Sequence, residues 1–211
     1  MKIIRVMQDW AVLSEGHDPL NILEDIYSLN NFSYGRKRML QIMESSLSKF
    51  PNSAYKKEPA LFVFQVKLMQ ELVIALYLIE ENKSDYVFLK NKFDLAFLEK
   101  IHSNTYKEHN LPWQFYPISL TKKDLKDPIG LITKVKEIVP LEYWLEFLDE
   151  CALHGLSFGF APDWDGSNHQ ISCTYYLPKL YDIGYLIYVS ETKYGRKYVL
   201  KMKEKNEKTD K

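Results

Sequence analysis

This chain of 211 residues has few of the features of a secreted or disulfide-stabilised protein. It contains two cysteines, Cys151 and Cys173, which are too few for a disulfide framework in a chain of this size. Its first ten residues lack the continuous apolar run and the small-residue cleavage site of a secretory signal. We therefore expect a reduced, cytoplasmic compartment.

The formal net charge is zero, so the chain as a whole has no strong attraction to anionic partners. Residues 172–211 nevertheless carry a net charge of +4, from nine Lys/Arg against five Asp/Glu. This modest asymmetry permits an anionic partner at the C-terminal end. Arg36, Lys37 and Arg38 form the dense basic cluster of the first half, and we expect a solvated helix face there.

Apolar residues make up 46% of the chain and aromatic residues 14%, which excludes a disordered protein. A chain of this length can bury a sizeable core as one domain or as two small ones. The sequence thus predicts a folded globular protein.

The first half of the chain has the apolar periodicity of helices. Asp18 and Pro19 supply a helix N-cap and a proline at the first helical position. Residues 61–79 are the most apolar segment and are nearly long enough to span a bilayer. Lys67 and Glu71 lie in its middle, where each would cost about 2.5–3.5 kcal/mol of insertion free energy. We therefore predict a central bundle helix and no membrane partner.

After Gly155 the pattern changes from helical to strand-like. Residues 169–177 and 185–190, with 156–160 and 197–202, are rich in β-branched and aromatic residues separated by turn signals. The predicted fold class is α+β, a mostly helical N-terminal bundle with a small C-terminal antiparallel β-sheet module. The predicted organisation is a bundle at 1–110, an ordered connection at 111–120, an α+β module at 121–203 and a disordered tail at 204–211, with one continuous domain as the alternative.

Two motifs between Cys151 and Cys173 suggest an enzyme or a calcium site. Residues 155–159 match the G-x-S-x-G pattern of serine hydrolases at Ser157, but a helix precedes the serine where that turn needs a strand. Residues 163–168 resemble the opening of a calcium loop, with the glycine two places too early. The sequence context favours a helix-end glycine and a hairpin turn as the explanations of these motifs.

A third pattern in this stretch has the spacing of zinc ligands. Cys151 and His154 would share one helix face, and His169 and Cys173 follow with three residues between them. If 169–177 is a strand, its two ligands stand about 13 Å apart at ~3.3 Å per residue and cannot bind one ion. They could do so if the segment were helical. The competing interpretation is that the cysteines are small core residues.

Residues 171–200 resemble the recognition helix and wing of winged helix-turn-helix proteins. The spacing of Leu177, Leu180 and Gly184 is that with which this family ends its recognition helix and starts the first wing strand. The resemblance implies DNA as a partner, with basic side chains meeting phosphates. The implied nucleic-acid-binding residues are Lys179, Lys193, Arg196 and Lys197.

The sequence favours a non-catalytic, soluble binding or regulatory protein, with nucleic acid as one candidate partner through the C-terminal module. No spacing gathers an acid, a base and a substrate-positioning group in a supporting context. The alternatives are a hydrolase or metal-dependent enzyme that uses 151–173, and a protein–protein interaction module. No cofactor is expected, with zinc as the alternative, and another protein or a second copy could bind the helices.

Nucleic-acid binding by the C-terminal module has a direct test. Fluorescence anisotropy on mixed-sequence duplex DNA should then show salt-dependent binding that Arg196→Ala/Lys197→Ala weakens. Each lost phosphate contact lowers the slope of log K against log salt by about 0.9. Absence of binding at low salt would contradict this hypothesis.

Overall fold

The computed structural model describes residues 18–29, 32–47, 58–86, 117–156 and 168–191. About 90% of these residues are helical, and none of them forms a strand. The expected α+β fold with a β-sheet module is therefore wrong for the described ranges, and their helical structure also conflicts with a winged-helix module there. The mostly helical bundle predicted for the first half agrees with the structure.

Seven α-helices occupy the described ranges. Three begin at polar caps: Asp18 Oδ1 accepts a hydrogen bond from Leu20 N at 2.9 Å, and Asp127 Oδ1 accepts one from Gly130 N at 2.8 Å. Thr121 forms a reciprocal capping box with Asp124. The helices are α1 Pro19–Leu29, α2 Phe32–Leu47, α3 Pro59–Glu81, α4 Lys122–Lys126, α5 Pro128–Ile138, α6 Leu141–Leu156 and α7 Asn168–Glu191, and a 3₁₀ turn, Lys83–Asp85, follows α3.

Helix α7 replaces the predicted strands 169–177 and 185–190 with one continuous helix of 24 residues. Its apolar residues are not confined to one face, because the helix is packed by α1, α2, α3, α5 and α6. Residues 180–191 are buried on nearly every side. This half of the helix therefore has no amphipathic period, and its sequence resembles a strand. Pro178 lies inside the helix, and the burial of Leu177 and Leu180 on either side of it offsets the cost of its missing N–H.

Helix α3 is the second central element. It packs against α1, α2, α5, α6 and α7. It is long and apolar enough to cross a membrane by length and composition alone, but 67% of its most apolar window is buried inside the protein. That burial is typical of a core helix. The buried side chains of α1, α2, α3, α5, α6 and α7 form one continuous hydrophobic cluster.

Helices α3 and α6 run antiparallel. Near the start of α3, the ring of Phe62 lies in direct contact with the position of Gly155 near the end of α6. Further along α3, Gln70 Nε2 donates to Leu145 O at 3.3 Å and to Asp149 Oδ1 at 2.8 Å. Gly155 was expected to end α6. It lies inside the helix instead, where the absence of a side chain makes room for the phenyl ring.

Several sequence predictions lie outside the described residues. They include the predicted strand 197–202, most of the connection 111–120 and the tail 204–211.

The contact at Gly184 yields a test of the fold. An ordinary helical Gly→Ala change is stabilising by about 0.5–1 kcal/mol. At Gly184 an added Cβ would stand 2.5 Å from Tyr27 Oη and 2.7 Å from Leu72 Cδ1. We therefore expect Gly184→Ala to lower the free energy of unfolding by about 1–3 kcal/mol in urea titrations.

An exposed control separates this overpacking from helix propensity. Lys134→Ala, on the exposed side of α5, should change the free energy of unfolding by less than about 0.5 kcal/mol. A Gly184→Ala protein more stable than the wild type would contradict the close packing of α7 against α1 and α3.

Candidate interaction surface

The structure divides the residues of the 151–173 stretch between two helices. Cys151 and His154 lie on α6, and His169 and Cys173 lie on α7. Ser157 and the acidic residues of the calcium-like loop fall outside the described ranges, so the nucleophile and calcium interpretations stay predictions.

For the four predicted zinc ligands, the helical structure of α7 meets the spacing requirement, but the described side chains are not grouped as metal ligands. His169 and Cys173 are one helical turn apart on α7, so the distance expected for a strand no longer separates them. The Cys173 thiol is buried. This burial, and to a smaller extent the neighbouring Cys151 thiol, raises the pKa of Cys173 well above its usual range. The His169 ring, however, stacks on Tyr143 at 4.2 Å. Among the described residues, no three His, Cys, Asp or Glu side chains form a group that could hold a metal ion.

Among the proposed nucleic-acid contacts, Lys179 is described and is buried. Its Nζ lies 2.9 Å from Asp124 Oδ2 and 5.1 Å from the centre of the Tyr175 ring. Burial alone would raise the pKa of Asp124, but hydrogen bonds from Thr121 and Lys179 outweigh it and lower that pKa. Lys179 thus ties α7 to α4. Lys193, Arg196 and Lys197 lie outside the described residues.

Sequence reasoning missed a buried ion pair between α2 and α7. Arg36 Nη2 lies 2.6 Å from Asp182 Oδ1, and Ser119 N donates to Asp182 Oδ2 at 2.8 Å. Arg36 is 9% exposed and Asp182 is fully buried. Arg36 therefore does not belong to a solvated face, contrary to the prediction for 36–38. Burial raises the pKa of Asp182, and the Arg36 guanidinium only partly offsets it.

Aromatic side chains pack around this pair. The Arg36 guanidinium lies 4.2 Å from the centre of the Phe32 ring, and that ring stacks on Tyr185 at 3.9 Å. Tyr27 Oη donates to Tyr181 O at 2.6 Å, and Tyr181 Oη donates to Phe32 O at 3.3 Å. These contacts join α1, α2 and α7, so the cluster is a structural centre of the core.

Two large apolar side chains are exposed on the outer side of α3. Ala60, Val63, Phe64 and Lys67 are all exposed and follow one another at helical spacing. Val63 is 37% exposed and Phe64 is 45% exposed. A core helix has no structural need for a phenylalanine in water, so this stripe is a candidate binding surface.

Helix α6 presents a second exposed stripe. Glu142, Glu146, Asp149 and Leu153 are spaced at i, i+4, i+7 and i+11 and are all exposed. Leu153 is 58% exposed. The stripe is therefore acidic over most of its length and apolar at its C-terminal end.

The hydrogen bond from Gln70 to Asp149 brings the two stripes to the same side of the α3–α6 pair. Val63 lies two turns before Gln70, and Leu153 lies one turn after Asp149. Because the helices are antiparallel, both steps lead to the same end of the pair. We call the surface formed by Val63, Phe64 and Leu153 together with the carboxylates of Glu142, Glu146 and Asp149 the outer face.

Comparison with known proteins identifies no relative. No family model matches the chain, and neither curated proteins nor solved structures give a significant match.

The buried ion pair generates a stability prediction. Asp182→Asn leaves the Arg36 charge buried without its counter-ion, so we expect a loss of about 3–5 kcal/mol in the free energy of unfolding. Replacing both partners by apolar residues, as in Arg36→Met/Asp182→Leu, should recover most of that loss in the same urea titrations.

The pH dependence checks the same pair independently. Because the folded pKa of Asp182 is raised, its contribution to stability is fully present in acid and is lost as the pH rises through that pKa. The stability difference between the wild type and the double variant should therefore fall as the pH rises through this window. A difference that grows with pH would contradict the burial of the carboxyl group.

Proposed function

We propose that this protein is a non-catalytic helical binding protein whose outer face contacts another protein. The observation that carries the proposal is the position of Val63, Phe64 and Leu153 at one end of the α3–α6 pair, exposed on two adjoining helices. Single exposed apolar residues are ordinary on protein surfaces, but a group of large ones is typical of an interaction site.

The pairing of the buried ionisable groups is also consistent with a binding role. Arg36 is paired with Asp182, and Lys179 is paired with Asp124. Each of these pairs joins two elements of the fold. Pairing of this kind, which holds helices together, accounts for these buried charges by stability without a catalytic role.

The rival nucleic-acid function has less support from the described residues. Lys179 would have to break its bond to Asp124 to reach a phosphate. The outer face carries three exposed carboxylates, which repel a phosphate backbone. The apolar outer face is therefore the better-supported binding site.

Photo-crosslinking in the cells that make the protein tests the proposal. With p-benzoylphenylalanine at position 153, irradiation should give a discrete protein adduct, because the probe lies within the interface. Adding Phe64→Ser should reduce the adduct yield at least about tenfold, as expected for a central apolar contact.

The matched control places the same probe at Ile118, which is 70% exposed and precedes Ser119, the residue whose N–H binds Asp182 of α7. Position 118 should give no discrete adduct. Equal adducts from positions 118 and 153, or adducts at 153 that Phe64→Ser leaves unchanged, would contradict a partner on the outer face.

A further inference from the structure

We infer that the partner of the outer face is a basic amphipathic segment of another protein, selected by the carboxylates of α6. This inference rests on the proposed function, since it specifies the chemistry of the partner that the proposal requires. It follows from the charges beside the apolar end of the face, whereas the proposal itself follows from the apolar end alone.

The three carboxylates that carry the inference are fixed in position and carry uncompensated charge. Glu142, Glu146 and Asp149 lie on consecutive turns of one well-packed helix. Within the described ranges, none of the ion pairs includes them. The bond from Gln70 orients Asp149 but leaves its negative charge in place, because the donor is a neutral amide. Lys67, the cation of α3, makes no ion pair with them either.

Like charges one turn apart destabilise a helix, and Glu142–Glu146 and Glu146–Asp149 are both such pairs. A cation bound between two of these carboxylates relieves the repulsion of both. A basic partner therefore gains electrostatic energy on this face, and its charges also accelerate the encounter. The same carboxylates disfavour nucleic acid and anionic lipid as occupants.

The shape of the face fits a helical segment of modest length. From Glu142 to Leu153 the α6 stripe extends about 16 Å at ~1.5 Å per residue, or about three helical turns. The carboxylates occupy one end and the middle of the stripe. Leu153 occupies its other end, which is the end of the helix pair that also carries Val63 and Phe64. A matching partner helix places lysine or arginine along the carboxylates and large apolar side chains at the Leu153 end.

Fluorescence anisotropy with three labelled synthetic peptides tests the inference on the full-length protein. All three have the same leucines at helical spacing and differ in carrying lysine, glutamine or glutamate at the polar positions. We expect the lysine peptide to bind most tightly and to lose affinity as salt is raised. Glu142→Gln/Glu146→Gln/Asp149→Asn should weaken it about tenfold at low salt, since three exposed charge pairs are lost.

The control variant removes the same number of charges elsewhere. Asp25→Asn/Glu44→Gln/Glu137→Gln changes exposed carboxylates of α1, α2 and α5 and should leave binding of the lysine peptide nearly unchanged. The asparagine at 149 can still accept the bond from Gln70, so the α6 variant should keep its thermal stability. Equal weakening by both variants would mean attraction by net charge alone and would overturn the inference.

The remaining outcomes separate the inference from the proposed function. In one outcome, the glutamine peptide binds as tightly as the lysine peptide, and Phe64→Ser/Leu153→Ser abolishes this binding. The outer face then binds proteins without selecting basic ones. If no peptide binds the wild type at low salt, the inference is overturned, while crosslinking at position 153 still decides the proposed function. A dimer in sedimentation that Phe64→Ser/Leu153→Ser converts to monomer would assign the face to a second copy and would also overturn the inference.

Discussion

The ion pair between Arg36 and Asp182 constrains the arrangement of the whole core. Two charges buried among aromatic rings are tolerated only when they meet each other and nearby hydrogen-bond donors. Asp182 meets Arg36 from α2 and the backbone N–H of Ser119, so α7 is held against both α2 and the segment before α4. With α7 at the centre, α6 packs on α2 and α3 and turns its carboxylates outwards. The exposure of the outer face therefore depends on how the ion pair fixes α7 within the core.

The sequence predicted helices where caps and a one-sided apolar pattern coincide. Asp18 with Pro19, and Asp127 with Pro128, mark the starts of α1 and α5. The prediction failed for α7, which packs against five other helices and is buried on nearly every side from 180 to 191. Its tyrosines, isoleucines and Gly184 have low helix propensity, and tertiary packing overrides that propensity. The strand-like composition of α7 thus reflects its central position.

The interaction surface, like α7, could be predicted only in part from the sequence. The acidic spacing of Glu142, Glu146 and Asp149 is visible in the sequence. The placement of Val63 and Leu153 at the same end of the helix pair, however, depends on the pairing of α3 with α6. Arg36 was assigned to a solvated face because its partner Asp182 lies 146 residues away in the chain. Local sequence patterns predict which side chains share a face of a helix. Only the tertiary packing shows which helix faces lie against each other.

The central claim is that α7 is one continuous helix at the centre of an all-helical core, since the ion pair and the outer face both depend on it. NMR Cα secondary chemical shifts across residues 168–191 test this claim most directly. The account predicts uninterrupted helical shifts on both sides of Pro178, through Gly184 and to Glu191. Extended, β-type shifts over 185–190 would contradict it and would restore the sheet that the sequence pattern suggested.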